Sequence, residues 1–393
     1  MPKPKLLIST DNLLPRWDGI ARTLSELIPR LAKRFDVTVV GPDFGQAPKM
    51  GNVQLVRFPV MPLRFGDINF AWFHPGKIKR LVQDADVVFN QTIGPIGMCA
   101  VRAAAKLNKP CVAYVHSIEW ELASKSVKRW KHLVSGAVKW LAKSLYNKCV
   151  LILVPNKEVE DLLVQVGITS RKAPLQLGVD TEVFTPPKSR SVAKWKVGIK
   201  PTAKVIGFSG RIGREKDLPT LYKAFKAVRK THPNTVLVIV GGGIETEAYA
   251  HDPDVMMVGP RDDVQRWLQA MDVFVLPSLT ETSSLATMEA MAVGLPVVVT
   301  PVGSIREYVI DGENGLIFPR RDVGALAERL EMLLSSSELR ARLGRRARQT
   351  ILERHRWELV AEQAAEFLMK QVAGGAQEGV SQGETPVSGG ALG

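Results

Sequence analysis

Short apolar runs, each followed by an amphipathic stretch, recur along this chain in two series, and that alternation leaves few folds open. The first series reads KLLIST, DVTVVGP, VQLVRFP, ADVVFNQ, PCVAYVHS and VLILVPN. The second reads KVIGFSG, TVLVIVGGG, VMMVGP, VFVLPS, PVVVTPVG and GLIFP. Runs that are apolar at nearly every position, rather than at every second one, are buried on both faces, the condition of a parallel sheet covered by helices. The expected class is α/β, with two doubly wound, Rossmann-like domains. Between the series, GVDTEVFTPPKS with Pro186-Pro187 reads as a linker. The expected division is an N-terminal domain over 1–178, a linker over 179–200, a second domain over 201–350 and a C-terminal helix over 351–372 that packs back toward the N-terminal domain. A disordered tail is expected over 373–393, where Gly, Ser and Gln replace apolar residues.

With 393 residues, 45% hydrophobic and 23% charged, the chain can build two cores and is excluded from the disordered class. A net charge of +14 asks for an acidic partner: nucleic acid, an anionic membrane or a phosphorylated ligand. Cys99, Cys111 and Cys149 are odd in number and lack metal-ligand spacing, which points to a reducing compartment without a disulfide framework. No run of about 18 uncharged apolar residues occurs. The apolar part of MPKPKLLIST is too short for a signal peptide, so the expected location is the cytoplasm.

Ligands of open α/β sheets bind beyond the carboxyl ends of the strands, and several chemically able residues fall there. After KVIGFSG come Arg211 and Lys216, a planar fork and a point charge that both suit a diphosphate; a solvated loop is the plainer alternative. After TVLVIVGGG, Gly241–Gly243 permit a close backbone approach or a tight turn. After VFVLPS comes TETSSLATMEAMAVGLPVVVT, with Glu281 and Glu289 on either side of a helix start. Ser283 or Ser284 is the expected N-cap of a helix to about Val293, with Gly294 at its C′ position. The plain reading makes Glu281 a partner of the helix dipole, contributing up to about 1 kcal/mol, and leaves Glu289 solvated. The same helix start is an anion site.

Taken together, these motifs resemble the family-4 retaining glycosyltransferases, which have the GT-B fold: two Rossmann-like domains facing across a cleft. The Glu-x7-Glu signature followed by Ala-Met-Ala-x-Gly-x-Pro-Val-Val is matched by Glu281, Glu289 and AMAVGLPVV, and Gly-Arg before a Lys by Gly210, Arg211 and Lys216. Gly303, Glu307 (one position later than usual), Asp311-Gly312 and Gly315 match a downstream pattern, and Leu177-Gly178-Val179-Asp180 with Phe184 matches the family's linker. The resemblance implies that Glu289 holds the donor ribose and Glu281 a hydroxyl of the donor sugar. It places the amides of Ser284, Leu285 and Ala286 opposite the phosphates, with Arg211 and Lys216 stabilising the leaving diphosphate. One departure stands out: Thr282-Ser283-Ser284 replaces the common Gly-Phe-Gly, which changes how the sugar is seated.

In the first half, Pro15-Arg16-Trp17-Asp18-Gly19-Ile20 resembles the family's Gly-Gly-Val loop, with the Gly19 amide as a phosphate contact. His116, ending VAYVHS, matches the histidine near the reacting sugar, although a lone His after a strand also fits a structural place. No metal is expected, because the two cations take its role. Asp84-Ala85-Asp86 and Asp252-Pro253-Asp254 have the spacing of a metal motif but read as structural from their positions. From Ser124 to Lys148 there are basic residues and no acid. Val127, Trp130, Val134, Ala137, Val138, Leu141 and Leu145 form one helical stripe, with Lys128, Lys131, Lys139 and Lys143 on the other arc. This reads as a packing helix with a solvated Lys face, or as an interfacial helix on anionic lipid, where Trp140 at its border and an aromatic loop with Phe65, Phe70, Trp72 and Phe73 would suit insertion.

The function expected is transfer from a nucleotide sugar, GDP-mannose or a UDP-hexose, to a lipid or lipid-linked acceptor at the inner membrane face. The alternatives are the same chemistry on a soluble acceptor, a catalytically silent scaffold, and a basic nucleic-acid-binding protein, for which no recognised motif is present; no nucleic-acid partner is expected.

Overall fold

A computed structural model describes residues 2–16, 18–46, 50–65, 68–126, 130–243, 249 and 251–381, with the side chains of 63–65, 68, 125, 126 and 375–381 outside the description. The chain divides into two compact units, Met1–Leu175 with Ala361–Gly393, and Gln176–Val360.

The first unit is built on strands β1 (Lys5–Ser9), β2 (Asp36–Asp43), β3 (Gln54–Phe65), β4 (Ile68–Ala71), β5 (Val87–Asn90), β6 (Cys111–Tyr114), β7 (Leu151–Val154) and β8 (Lys172–Pro174). They form one sheet in the order β4-β3-β2-β1-β5-β6-β7-β8, parallel except for the β3–β4 pair. Leu6, Leu7 and Ile8 on β1 are each at most 1% exposed, which is why the strand is apolar at consecutive positions. Each such side chain contributes about 1.5–3 kcal/mol on burial. The chain first winds outward from β1 to β3 and then resumes on the other side of β1 with β5. The switch point of this sheet therefore lies between β1 and β5.

The second unit repeats the plan with β9 (Lys204–Ser209), β10 (Thr235–Val240), β11 (Val255–Gly259), β12 (Val273–Leu276), β13 (Val297–Val299) and β14 (Leu316–Ile317), in the order β11-β10-β9-β12-β13-β14. Its switch point lies between β9 and β12. Every strand expected from the sequence is present. The two that were missed are edge strands, where burial on both faces is not required. β4 is only INFA, and β8 is KAP, whose proline is tolerated because nothing pairs beyond it.

Three stretches differ from expectation. Residues 179–200 are part of the second unit rather than a free linker, because Ser189 caps a helix, Arg190–Lys196, with its hydroxyl accepting from the Val192 amide. That helix is pinned by the buried Lys194 ammonium, 2.7 Å from both Asp272 Oδ2 and the Ala203 carbonyl. Removing one partner of such a pair costs about 3–5 kcal/mol. The expected tail is helical to Ser381, as the end of Trp357–Ser381, and 382–393 lie outside the described residues. Extending a formed helix adds a hydrogen bond per residue without a new nucleus, so polar composition alone does not stop it. Finally, the basic stretch is not one helix. Glu119–Ser126 and Lys131–Tyr146 are separate, and Trp130 stands before the second in the left-handed region at φ +62°.

Candidate functional site

In the second unit the expected donor residues gather on the loops that follow β9 and β12, the two strands flanking its switch point. The loop after β9 lies against the end of β10. The amides of Gly210 and Ile212 donate to the carbonyls of Val240 and Gly242, both at 2.9 Å. Gly241 has φ +137°, and a Cβ there would stand 1.9 Å from the Gly210 carbonyl oxygen. The glycine run thus serves a close approach of the protein's own backbone, which fixes where Arg211 starts. The Leu279 amide donates to the Glu215 carbonyl at 2.8 Å and joins the loop to the one after β12.

Lys216 Nζ donates to Glu281 Oε1, and Ser278 Oγ donates to the same oxygen at 2.7 Å. The pair is largely out of water, with side chains 17% and 9% exposed. Arg211 pairs with Glu215 on the same loop and keeps 69% of its side chain exposed. The cations read from the sequence are therefore each matched with an acid. Ser278 and Glu215 were missed; the only sequence signal for them was their place at the end of VFVLPS and beside Lys216.

Between the two glutamates the helix Leu285–Ala292 begins. Ser284 is the N-cap, accepting from the Thr287 amide at 3.3 Å, and Gly294 follows the C-cap Val293 at φ +76°. The amides of Leu285 and Ala286 open the helix and belong to the first turn, which has no intrahelical acceptors. Glu289 is 4% exposed and not solvated, which overturns the plainer reading of that residue. This helix is covered by the sheet and by the helix Ser337–Arg354, so even its polar position is enclosed. The loop of Glu281–Ser284 is braced from behind. Ser304 donates to the Thr282 carbonyl through both its amide, at 3.2 Å, and its hydroxyl, at 2.7 Å.

In the first unit, Gly19 heads the helix Gly19–Leu31, whose N-cap Asp18 accepts from the Ala21 amide at 2.9 Å. No atom lies within 4 Å of where a Gly19 Cβ would stand, among the described residues. Trp17 of the same loop is outside the description. Asp11, unremarked in the sequence, follows β1 and caps the helix Pro95–Lys106 through the amides of Ile96 and Gly97; burial raises its carboxyl pKa. His116 follows β6, with Nε2 2.9 Å from Gln91 Oε1 and its ring edge-on to Tyr114. Some of its surface stays open, but removal of the ring from water lowers its pKa to about 3, so the imidazole is neutral at ordinary pH. Three residues on, Glu119 accepts from the Tyr146 hydroxyl, and burial pushes its carboxyl up to about 7.

Of the four carboxylates of the possible metal motifs, three have partners among the described residues, and Asp84 is exposed. Asp86 accepts from the Lys5 amide at 2.7 Å. Asp252 accepts from Tyr222 and Lys226, and Asp254 from Arg229. Of the basic surface, Lys131, Lys139 and Lys143 are exposed, and Lys128 lies outside the described residues. The expected stripe does not pack as a unit. Ala142, Leu145 and Tyr146 are buried, while Trp130, Leu133 and Trp140 are 75%, 68% and 70% exposed. With Trp130 outside the helix, Leu133, Ala137 and Trp140 form a second apolar line that faces water, next to Lys139 and Lys143.

Residues 17–183 match the family model described as Glycosyltransferase Family 4, and residues 189–350 match Glycosyl transferases group 1. A D-inositol 3-phosphate glycosyltransferase of Corynebacterium urealyticum is 33% identical over 242 residues, 56% of this chain and 56% of that protein. The chain thus spans about half the length of that relative. A GDP-mannose-dependent alpha-(1-6)-phosphatidylinositol monomannoside mannosyltransferase of Mycobacterium tuberculosis is 25% identical over 400 residues, 93% of this chain and 98% of that one. Among solved structures, Anabaena Alr3699/HepE in complex with UDP-glucose superposes with a TM-score of 0.74 at 19% identity, covering 93% and 99% of the two chains.

Proposed function

The chain belongs to glycosyltransferase family 4 and has the GT-B fold, and from that premise we propose that it transfers a hexose from a nucleoside-diphosphate sugar to a lipid or lipid-linked acceptor. The observation that carries this reading is the convergence, at one switch point, of Arg211, Lys216, the open amides of Leu285 and Ala286, and the enclosed acids Glu281 and Glu289. Carboxylates accept from hydroxyls, whereas cations and amides hold phosphate, so the set matches a ligand with hydroxyls at both ends and a dianion between them. In this role Glu289 holds the ribose and Glu281 a hydroxyl of the sugar, with the helix amides and the two cations on the diphosphate. Both donors to Glu281 among the described residues fall on Oε1, which leaves Oε2 for the sugar. In the first unit, the Gly19 amide contacts a phosphate oxygen and His116 a sugar hydroxyl.

Transfer proceeds with retention, and the charge that develops on the leaving diphosphate is met by Arg211, Lys216 and the helix dipole in place of a metal ion. Turnover is therefore expected to persist in excess EDTA. Loss of activity on chelation, restored by Mg²⁺ or Mn²⁺, would assign that role to an ion instead. The donor is GDP-mannose or a UDP-hexose, and hydrolysis of a panel of both in the absence of acceptor tests the donor reading directly.

The lipid acceptor is supported by the phosphatidylinositol monomannoside in the name of the mycobacterial relative and by the exposed Trp130, Leu133 and Trp140 beside Lys131, Lys139 and Lys143. Tryptophan suits the headgroup level, and each lysine near an anionic surface contributes about 1 kcal/mol. Among the described residues no helix is long and apolar enough to cross a membrane; the proposed location is peripheral, on the cytoplasmic face. The chain should sediment with anionic but not neutral vesicles, less so as salt rises, since screening sets in beyond about 8 Å at physiological ionic strength. Replacing Lys128, Lys131, Lys139 and Lys143 with Gln should abolish sedimentation and leave donor hydrolysis intact. If wild-type protein ignores anionic vesicles at low salt, the soluble acceptor leads, a reading favoured by the inositol phosphate in the name of the corynebacterial relative.

A further inference from the structure

The end of β5 and the end of β6 are neighbours in the first sheet, and each carries one partner of a part-buried contact that the motifs did not reveal. Gln91, 2% exposed, is fixed at its backbone by its amide, which donates to the Ser9 carbonyl at 2.8 Å. Its side-chain oxygen stands 2.9 Å from His116 Nε2. An amide oxygen only accepts, so the imidazole nitrogen facing it carries the ring's proton. A neutral imidazole has one N–H, and the other nitrogen, Nδ1, is then a bare acceptor. The edge-on Tyr114 ring, 4.4 Å away and itself held by its hydroxyl to the Leu175 carbonyl at 3.1 Å, keeps the imidazole plane from turning.

We propose that Gln91 is a positioning residue, which holds His116 in the Nε2–H form and so presents Nδ1 as a hydrogen-bond acceptor to a substrate hydroxyl. This deepens the functional reading above and rests on it for the place of His116 at the substrate. The arrangement has a visible cost. Gln91 Nε2 is buried and has no acceptor among the described residues. An unmet buried donor costs about 1–3 kcal/mol, and the reversed amide would avoid none of it, since the oxygen would then occupy the same place. The titratable groups on the surrounding segments are Asp11 after β1, Tyr114 on β6 and Glu119 at the start of the next helix. Asp11 is occupied by Thr92 and two amides, Glu119 by Tyr146, and burial alone accounts for the state of the ring.

Nitrogen-15 correlation spectra of the full chain, labelled at histidine, read the tautomer directly. His116 should show a protonated Nε2 and an unprotonated Nδ1; the opposite tautomer overturns the proposal whatever the activity. Gln91→Leu removes the acceptor and should lower kcat about 10-fold or more. Gln91→Glu keeps an acceptor at the same atom and should recover most of that loss at high pH. It also stabilises an imidazolium, so its pH–rate profile should gain an acid-side inflection absent from wild type, as Nδ1 becomes protonated and ceases to accept. A Gln91→Glu profile that matches wild type in shape, from a folded protein, means that Gln91 only fills space and overturns the proposal. His116→Ala separates the two readings. Full activity there removes His116 from the substrate and defeats the functional assignment, even where the spectra show the expected tautomer.

Discussion

Lys216→Ala is expected to lower kcat about 10²–10³-fold, the scale on which removing one charge-stabilising donor acts in a preorganised site. The ammonium sits against Glu281 and is less exposed than Arg211 on the same loop after β9. As the bond to the leaving diphosphate breaks, negative charge grows on its oxygens, and a cation that gains most at that stage affects turnover more than binding. Arg211→Ala should act in the same direction. It should do so with little change in stability, because its ion pair with Glu215 is exposed and such pairs contribute about 0–1 kcal/mol. Lys216→Ala differs there, since among the described residues it leaves the enclosed Glu281 carboxylate with Ser278 alone, and a lower Tm should accompany the loss of rate. Glu289→Ala supplies the contrast: a ribose contact stabilises ground and transition states alike, so KM for the donor should rise while kcat holds. Steady-state kinetics with Tm for each variant checks all three. An Arg211→Ala enzyme with unchanged kcat and raised KM would show that the guanidinium only binds.

Much of this was legible in the sequence because two separate signals, periodicity and local chemistry, agreed. Strands such as β1 and β12 are apolar at consecutive positions because both faces are covered, so their class and order along the chain could be read directly. Ser284 and Gly294 likewise mark the ends of their helix by side-chain and backbone chemistry that does not depend on distant residues. What could not be read was set by partners far away in the chain. Lys194, inside the expected linker, carried no signal of its own, because its partner Asp272 comes from just before β12, far along the chain. The plainer reading left Glu289 solvated because local sequence does not contain the helix Ser337–Arg354 that covers its helix. The exposed line of Leu133, Ala137 and Trp140 was hidden for the opposite reason. Apolar residues at helical spacing imply a buried face, and only the position of the helix on its sheet shows that this one faces water. Gln91 carried no signal, since its role depends on an adjacent strand.

Gly303→Ala should damage the donor site without replacing any residue that contacts the donor in the proposed roles. Gly303 has φ +53°, where an L side chain costs roughly 1–2 kcal/mol. The larger effect is steric. A Cβ at this position would stand 2.0 Å from the Glu281 carbonyl oxygen and 3.1 Å from that of Thr282. Backbone cannot rotate away as a long side chain does, so the segment from Glu281 to Ser284 has to move. It cannot move alone, because Ser304 holds the Thr282 carbonyl and its hydroxyl lies 3.1 Å from that of Ser283. The motion is therefore passed to the Glu281 carboxylate and to the start of the helix Leu285–Ala292, the two groups placed on the sugar and the phosphates. A misplacement of about 1 Å in such a site can cost about 100-fold in rate, and kcat/KM for the donor should fall by that order. Ser304→Ala is the matched control. It removes the hydroxyl's hydrogen bonds without creating a clash, and should cost about 0.5–1.5 kcal/mol of stability with a much smaller kinetic effect. If Gly303→Ala instead lowers Tm while kcat/KM stays at the wild-type value, the loop has absorbed the clash elsewhere, and the bracing by Gly303 and Ser304 serves stability alone.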